Sequence, residues 1–291
     1  MSKIMTEIRY EYFKKELEGL EAKYISIPIS LITDKELAKK RIGVFAYLRL
    51  HCCLNDIICF ITPNMVEWCG GKPDRGVNGT SEQYLVAIDE LIDRGYLTYL
   101  TERSRSKYME CKFNTDYYYN ECLKGYAAIY LDELEKIMQY KKKNTRDNTI
   151  TNTSILLVFA YLRHKIIRRP NELKPEERSV DKIKERKERL PEAYDAYIKD
   201  IAFEIGLSAN TVSKIVDILE EDLKLIVTDK AYRFKNDDGE YVTLPTLFAN
   251  AYKRERGYKL ITEDDYSRLE IEAKAKKIKN YVINRDKRKS K

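Results

Sequence analysis

The sequence predicts a mainly α chain with small β wings (α+β), in which one structural unit is used twice. Three observations point there. The hexapeptide VFAYLR stands at 44–49 and again at 158–163, each time inside an apolar stretch with helical spacing. The second copy is followed by two short amphipathic segments over 198–219, separated by a glycine turn. Alternating runs around Asp238-Gly239 come next, the pattern of a β-hairpin.

At 291 residues the chain is long enough for two domains that each bury a core. With 43% hydrophobic and 35% charged residues it belongs among folded proteins with a heavily solvated surface. The longest apolar run, ILLVFAYL at 155–162, is far shorter than the roughly 20 residues that span a bilayer. The opening MSKIMTEIRYEYFKKELEG lacks an apolar signal core. The expected location is therefore cytoplasmic, with no membrane partner. Cys52, Cys53, Cys59, Cys69, Cys111 and Cys122 form no C-x-x-C pair and lie mostly in apolar stretches, so they read as reduced core thiols. A zinc site from Cys52, Cys59, Cys69 and His51 is the lesser reading, and neither metal nor cofactor is called for.

Residues 1–23 read as an N-terminal helix or arm, and 24–120 as a first unit. Within it, Thr33-Asp34 offers an N-cap upstream of the VFAYLR helix. A short helix over Pro63–Trp68 follows a Thr62 cap and ends at Gly70-Gly71. After a glycine-bearing turn, Thr80-Ser81 caps a helix whose apolar residues are Leu85, Ile88, Leu91 and Ile92. Gly95 stops it before the strands in LTYLTERSRSKYMECKF.

The second unit, 121–260, repeats the order: a Thr153-Ser154 cap, the second VFAYLR helix, then the helix pair. Ile198, Ile201, Ala202 and Ile205 form one stripe ending at Gly206, a residue suited to the left-handed C-cap. Ser208 caps the next helix, with Val212, Ile215, Val216 and Leu219 inward. Charged residues 168–191 form an insertion that periodicity leaves open among loop, extra helix and partner surface. Residues 261–291 read as a basic C-terminal helix and tail. The two units are expected to superpose over 42–100 and 155–228, to join near 121–126, and to share no sheet across that junction.

GLSANTVSKIVDILEEDLKLI resembles the helix-turn-helix core of bacterial winged-helix proteins. The tandem arrangement, with IPISLI before the first VFAYLR helix, resembles plasmid or phage replication initiators (Rep-like) and phage replisome organisers. The resemblance implies two tandem winged helix-turn-helix domains that bind double-stranded DNA, without enzymatic activity. Host replication proteins and a second copy of the chain would be the further partners. By matching position it implies Ser208, Asn210, Thr211, Ser213 and Lys214 as DNA-binding in the second unit, and Ser81, Gln83 and Tyr84 in the first. The alternative role is a transcriptional regulator or a conjugation or partition factor.

The side-chain chemistry agrees with those positions. Asn and Gln can bond an adenine edge through two hydrogen bonds, Ser and Thr are versatile, and Lys reaches guanine or phosphate. In the hairpins, Arg103, Arg105 and Lys107 alternate, as Lys230, Arg233 and Lys235 nearly do, which would place each set on one strand face. The plain alternative is a solvated helix face with edge-strand cations. Asp89, Glu90 and Asp93 make the first unit's helix acidic, so the second unit is expected to read sequence more than the first.

Catalytic patterns are not found. His51 and His164 are single residues, GGKPD at 70–74 lacks the phosphate-loop frame, and no tyrosine sits among activating Arg or His residues.

The whole net charge of +7 comes from the tail: from Lys274 to Lys291 it carries nine Lys and Arg against Asp286. Such a run attracts polyanions through counterion release. Truncation after Glu272 is therefore expected to lower the slope of log affinity against log salt on DNA by roughly 0.9 for every phosphate that the tail neutralises. A salt titration giving the same slope for both chains would make the tail a bystander.

Overall fold

A computed structural model describes residues 24–37, 39–52, 56–74, 76, 79–141, 150–166, 193–229, 233–235, 241–243 and 245–251. The N-terminal arm, the 168–191 insertion, Lys230, the Asp238-Gly239 turn and the basic tail lie outside them.

The first half runs β1 (Tyr24–Pro28), α1 (Ile29–Thr33), α2 (Arg41–Leu50), β2 (Ile57–Ile61), α3 (Thr62–Trp68), α4 (Thr80–Asp93), β3 (Leu97–Tyr99) and β4 (Tyr108–Phe113). A connecting helix α5 (Thr115–Lys124) follows. The second half repeats that order as β5 (Tyr126–Tyr130), α6 (Leu131–Met138), α7 (Asn152–Ile166), β6 (Ala193–Ala196), α8 (Ile198–Ile205), α9 (Ala209–Asp217), β7 (Ile226–Asp229) and β10 (Thr246–Asn250). A π-turn over Ile218–Asp222 ends α9, and the hairpin β8 (Arg233–Lys235) with β9 (Tyr241–Thr243) is inserted before β10. Each half closes a three-stranded antiparallel sheet with its last strand in the middle, β2-β4-β3 and β6-β10-β7. The chain is thus mixed α+β with small sheets, richer in strands than the two wings read from the sequence.

A sheet does cross the junction, against expectation. β1 pairs antiparallel with β5, Ile25 opposite Ile129 and Ile27 opposite Ala127, all four buried. The reason is local alternation that only becomes a ladder when both strands are present. In YISIP and YAAIY one face is apolar, and each half supplies a single strand that cannot satisfy its own backbone groups.

Between the halves lie the two VFAYLR helices, α2 and α7, which pack on each other. Both are buried over nearly their whole length rather than along one stripe: Arg41–Leu48 in α2, Asn152–Arg163 in α7. One apolar cluster runs through both halves, from Ile25 and Phe45 to Ile215 and Phe248. At the crossing Gly43 lies so close to the partner helix that a Cβ there would stand 2.3 Å from Thr153 Cγ2.

Helix ends depart from the expected caps. Thr151, not Thr153-Ser154, begins α7: its Oγ1 accepts from Ser154 N at 3.1 Å, and Ser154 Oγ accepts from Thr151 N at 2.8 Å, a reciprocal box. Thr33-Asp34 closes α1 instead of opening α2. The end of α1 is served by the buried Arg41 guanidinium, which donates to Leu31 O at 2.8 Å, Ile32 O at 2.8 Å and Leu37 O at 3.1 Å. Loss of water lowers the Arg41 pKa to about 10, still charged at neutral pH. Thr62 is already inside α3, and its hydroxyl donates to Ser104 O.

Overpacking at the crossing follows from the Gly43 geometry. Gly43→Ala is expected to cost about 1–3 kcal/mol of stability in urea denaturation. Thr153→Ser, which removes the opposing methyl and keeps the hydroxyl, should recover part of that loss in the double mutant. Additive effects would mean that the helices separate freely.

Candidate nucleic-acid interface

The helix pair α8–α9 follows the sequence pattern closely. α8 ends at Gly206 with φ 71°, ψ 30°, the left-handed C-cap, and the turn Leu207-Ser208 leads into α9. Ser208 accepts from Thr211 N at 3.1 Å and so satisfies one orphan donor of the helix start. Ile201, Ala202, Ile205, Val212, Ile215, Val216 and Leu219 are buried, as their spacing requires. This leaves Ser208, Asn210, Ser213 and Lys214 exposed on α9. Thr211 is only half exposed, with its hydroxyl 2.8 Å from Ser208 Oγ. It belongs to the cap as much as to the outer surface. Arg233 and Lys235 lie in β8 opposite Thr243 and Tyr241, in the hairpin that follows.

The first half differs at the same places. α4 begins at Thr80, and its N-terminal donors are met from the preceding turn. Asp74 accepts from Thr80 N at 3.0 Å and Gly76 N at 3.1 Å, while its own N–H donates to Ser81 Oγ. The turn closes only because Gly79 has no side chain: a Cβ there would fall 1.4 Å from Asp74 Oδ1. Ser81 and Tyr84 are both buried, so neither is presented to a partner as the resemblance implied. Tyr84 bonds the buried Cys69 thiol and lies under the Lys40 ammonium, and burial pushes the Tyr84 and Cys69 pKa values up. Of the three positions only Gln83 is exposed, and Val86 is exposed beside it.

The basic row of the first wing is also rearranged. Arg103, Arg105 and Lys107 lie in the loop between β3 and β4, not on a strand. Arg103 bonds Glu82 at 2.6 Å and Asp89 at 2.9 Å, and Arg105 bonds Glu82 at 2.5 Å. These two guanidiniums hold the Glu82 carboxyl below the usual carboxylate range. Two acids of α4 and two bases of the wing thus neutralise one another, and the first half presents a balanced rather than a basic surface. Lys107 is exposed.

Sequence reasoning missed two contacts beside these helices. The loop after α1 reaches the second half, with Lys35 Nζ 3.4 Å from the centre of the exposed Phe203 ring on α8. Asp34 and Glu36 of the same loop pair with Arg94 at the end of α4. An exposed Phe amid helical polar residues was the one available signal.

Cys69 and Cys111 are buried, and Cys52, Cys59 and Cys122 half-buried. Among the described residues no three His, Cys, Asp or Glu groups are arranged to hold a metal ion. His51 stacks on Tyr47, and His164 Nδ1 lies 3.1 Å from Tyr126 O. No helix among the described residues is long and apolar enough to cross a membrane. Comparison with protein-family models, curated proteins and solved structures gives no match for this chain.

The Glu82 clamp has a pH signature. A carboxyl whose pKa is depressed in the folded state adds stability above its unfolded value, and that stability is lost as pH falls through the folded value. The advantage of the wild type over Glu82→Gln in urea denaturation, at most about 1 kcal/mol for partly exposed pairs, should therefore be full at neutral pH. It should shrink below about pH 4.5. A difference independent of pH would show that the clamp does not operate in solution.

Proposed function

We propose that each half is a winged helix-turn-helix domain and that the chain binds double-stranded DNA by sequence, as a replication initiator of a plasmid or phage. The observation that carries this is the second half: a capped helix with Asn210, Ser213 and Lys214 outward, packed on α8 and α7, whose end leads into the β6-β10-β7 sheet and a hairpin that carries Arg233 and Lys235. A helix of this kind fits the major groove, where Asn can read adenine and Lys guanine or phosphate. Its N-terminal N–H groups favour a backbone phosphate. The equivalent strand order β2-β4-β3 around α3 and α4 supports a second unit of the same kind.

Two unlike heads in one chain suit an asymmetric element, such as one unit of a direct repeat. A palindromic operator would instead take two copies of the chain related by a two-fold axis. Here α4 carries Gln83 beside a neutralised acid pair, whereas α9 carries Asn210 and Lys214. Such a chain reads an asymmetric element, and several copies of it act on tandem direct repeats. The basic tail adds sequence-independent attraction, and the chemistry is binding without catalysis. Host replication proteins would be recruited to the assembled complex.

Footprinting on DNA flanking the gene tests this reading: protected direct repeats are expected, while one protected palindrome at a promoter would favour a regulator. Asn210→Ala should cost about 1–3 kcal/mol at the protected site and little on random DNA. If Gln83→Ala alone abolishes discrimination, the principal reading head is the first half.

A further inference from the structure

The buried residues of α4 and α9 set the two helices in one register: Tyr84, Ala87, Ile88 and Leu91 fall on Val212, Ile215, Val216 and Leu219. Glu82 then stands where α9 has Asn210, and Val86 where it has Lys214. At the first of these positions the second half turns an exposed amide outward. The first half has a carboxylate there, held by two guanidiniums of the loop between β3 and β4, Arg103 at 2.6 Å and Arg105 at 2.5 Å. Two turns further along α4, Asp89 takes Arg103 Nε at 2.9 Å.

Neither side of this lattice is placed by charge alone. Tyr99 donates its hydroxyl to Asp89 Oδ1 at 2.8 Å. The loop is pinned at Ser104, whose carbonyl accepts from the Thr62 hydroxyl at 2.9 Å and whose hydroxyl accepts from Lys107 N at 3.0 Å. The fold of the loop therefore delivers both arginines to α4. Their side chains are still 34% and 33% exposed, so it is the carboxylates, and not burial, that occupy them. A guanidinium binds carboxylate and phosphate oxygens through the same fork of donors. For either arginine to take a phosphate it must leave its acid, and that acid would then face the same polyanion unpaired. The exchange is opposed twice.

We propose that Glu82 and Asp89 stand in for backbone phosphates: they occupy Arg103 and Arg105 and so hold the first half's loop in an autoinhibited state, in which it adds nothing to the sequence-independent attraction for DNA. Phosphate contacts carry no sequence information. Withholding them weakens the hold on random DNA and touches no base contact. The proposal rests on the DNA-binding reading above.

The test measures the salt dependence of affinity for a duplex of scrambled sequence, using the full chain and variants checked for an unchanged melting temperature. Glu82→Gln with Asp89→Asn should steepen the slope of log affinity against log salt by roughly 0.9 for each guanidinium released onto a phosphate. Adding Arg103→Gln and Arg105→Gln to that variant should cancel the gain. Glu67→Gln with Asp93→Asn, which removes the same charge from exposed acids outside the lattice, should keep the wild-type slope. An equal steepening in that control would reduce the effect to net charge and overturn the proposal. So would an unchanged slope in Glu82→Gln with Asp89→Asn. A quadruple variant shallower than the wild type would overturn it too, because the arginines would then already rest on phosphates. These three results leave the DNA-binding reading standing, whereas a wild-type chain that binds no duplex, scrambled or selected, brings down both.

Discussion

The close crossing of α2 and α7 is the constraint on which the rest of the fold depends. Each helix carries the same hexapeptide, and each is buried on nearly all sides because the other half covers the face that would otherwise meet water. Fully burying a Phe, Leu or Val side chain contributes roughly 1.5–3 kcal/mol over leaving it exposed, so neither helix could keep its composition alone. Shared letters do not mean shared partners. Arg49 of the first copy lies over the Phe113 and Tyr118 rings, whereas its counterpart Arg163 is buried against the Glu133 carboxylate. Glu133 also accepts from Tyr130 N, but Arg163 Nε finds no acceptor among the described residues. A buried pair of that kind is weak evidence for added stability, and it favours one arrangement over others by the cost of leaving either charge alone.

Local signals were legible in the sequence, and non-local ones were not. Gly206, Ser208 and the apolar stripes of α8 and α9 act over four residues or fewer, and the structure places them as read. The β1–β5 ladder joins strands about 100 residues apart, and nothing within YISIP indicates its partner. Helix α4 of the first half misled for a related reason. Ser208 stands at the cap of α9, but Ser81 lies inside α4, because Asp74 reaches in from the turn and the helix already begins at Thr80. Ser81 and Tyr84 therefore rotate into the core while Gln83 and Val86 remain outside. Likewise the alternation of Arg103, Arg105 and Lys107 mimics a strand, yet acids one helix away set their geometry.

The two halves differ in electrostatics more than in the order of their elements. In the first, carboxylates and guanidiniums cancel across the helix and the wing; in the second, the outward face of α9 carries an amide, hydroxyls and a lysine. The excess positive charge itself lies in the basic C-terminal sequence. The exposed loop Asp34–Glu36 spans the two, pairing with Arg94 of α4 through its acids and with Phe203 of α8 through Lys35.

The ladder between β1 and β5 has a consequence for how the chain is made. β1 leaves the ribosome first but has no strand to pair with until about 100 further residues have followed, on the order of 5–20 s at ordinary rates of synthesis. During that interval the nascent first half carries Ile25 and Ile27 without their cover. Its completion waits on the opening strand of the second, a high-contact-order step that comes late. The two halves are therefore no pair of independent modules on a tether, but parts of a chain whose earlier half matures only when the later one has begun.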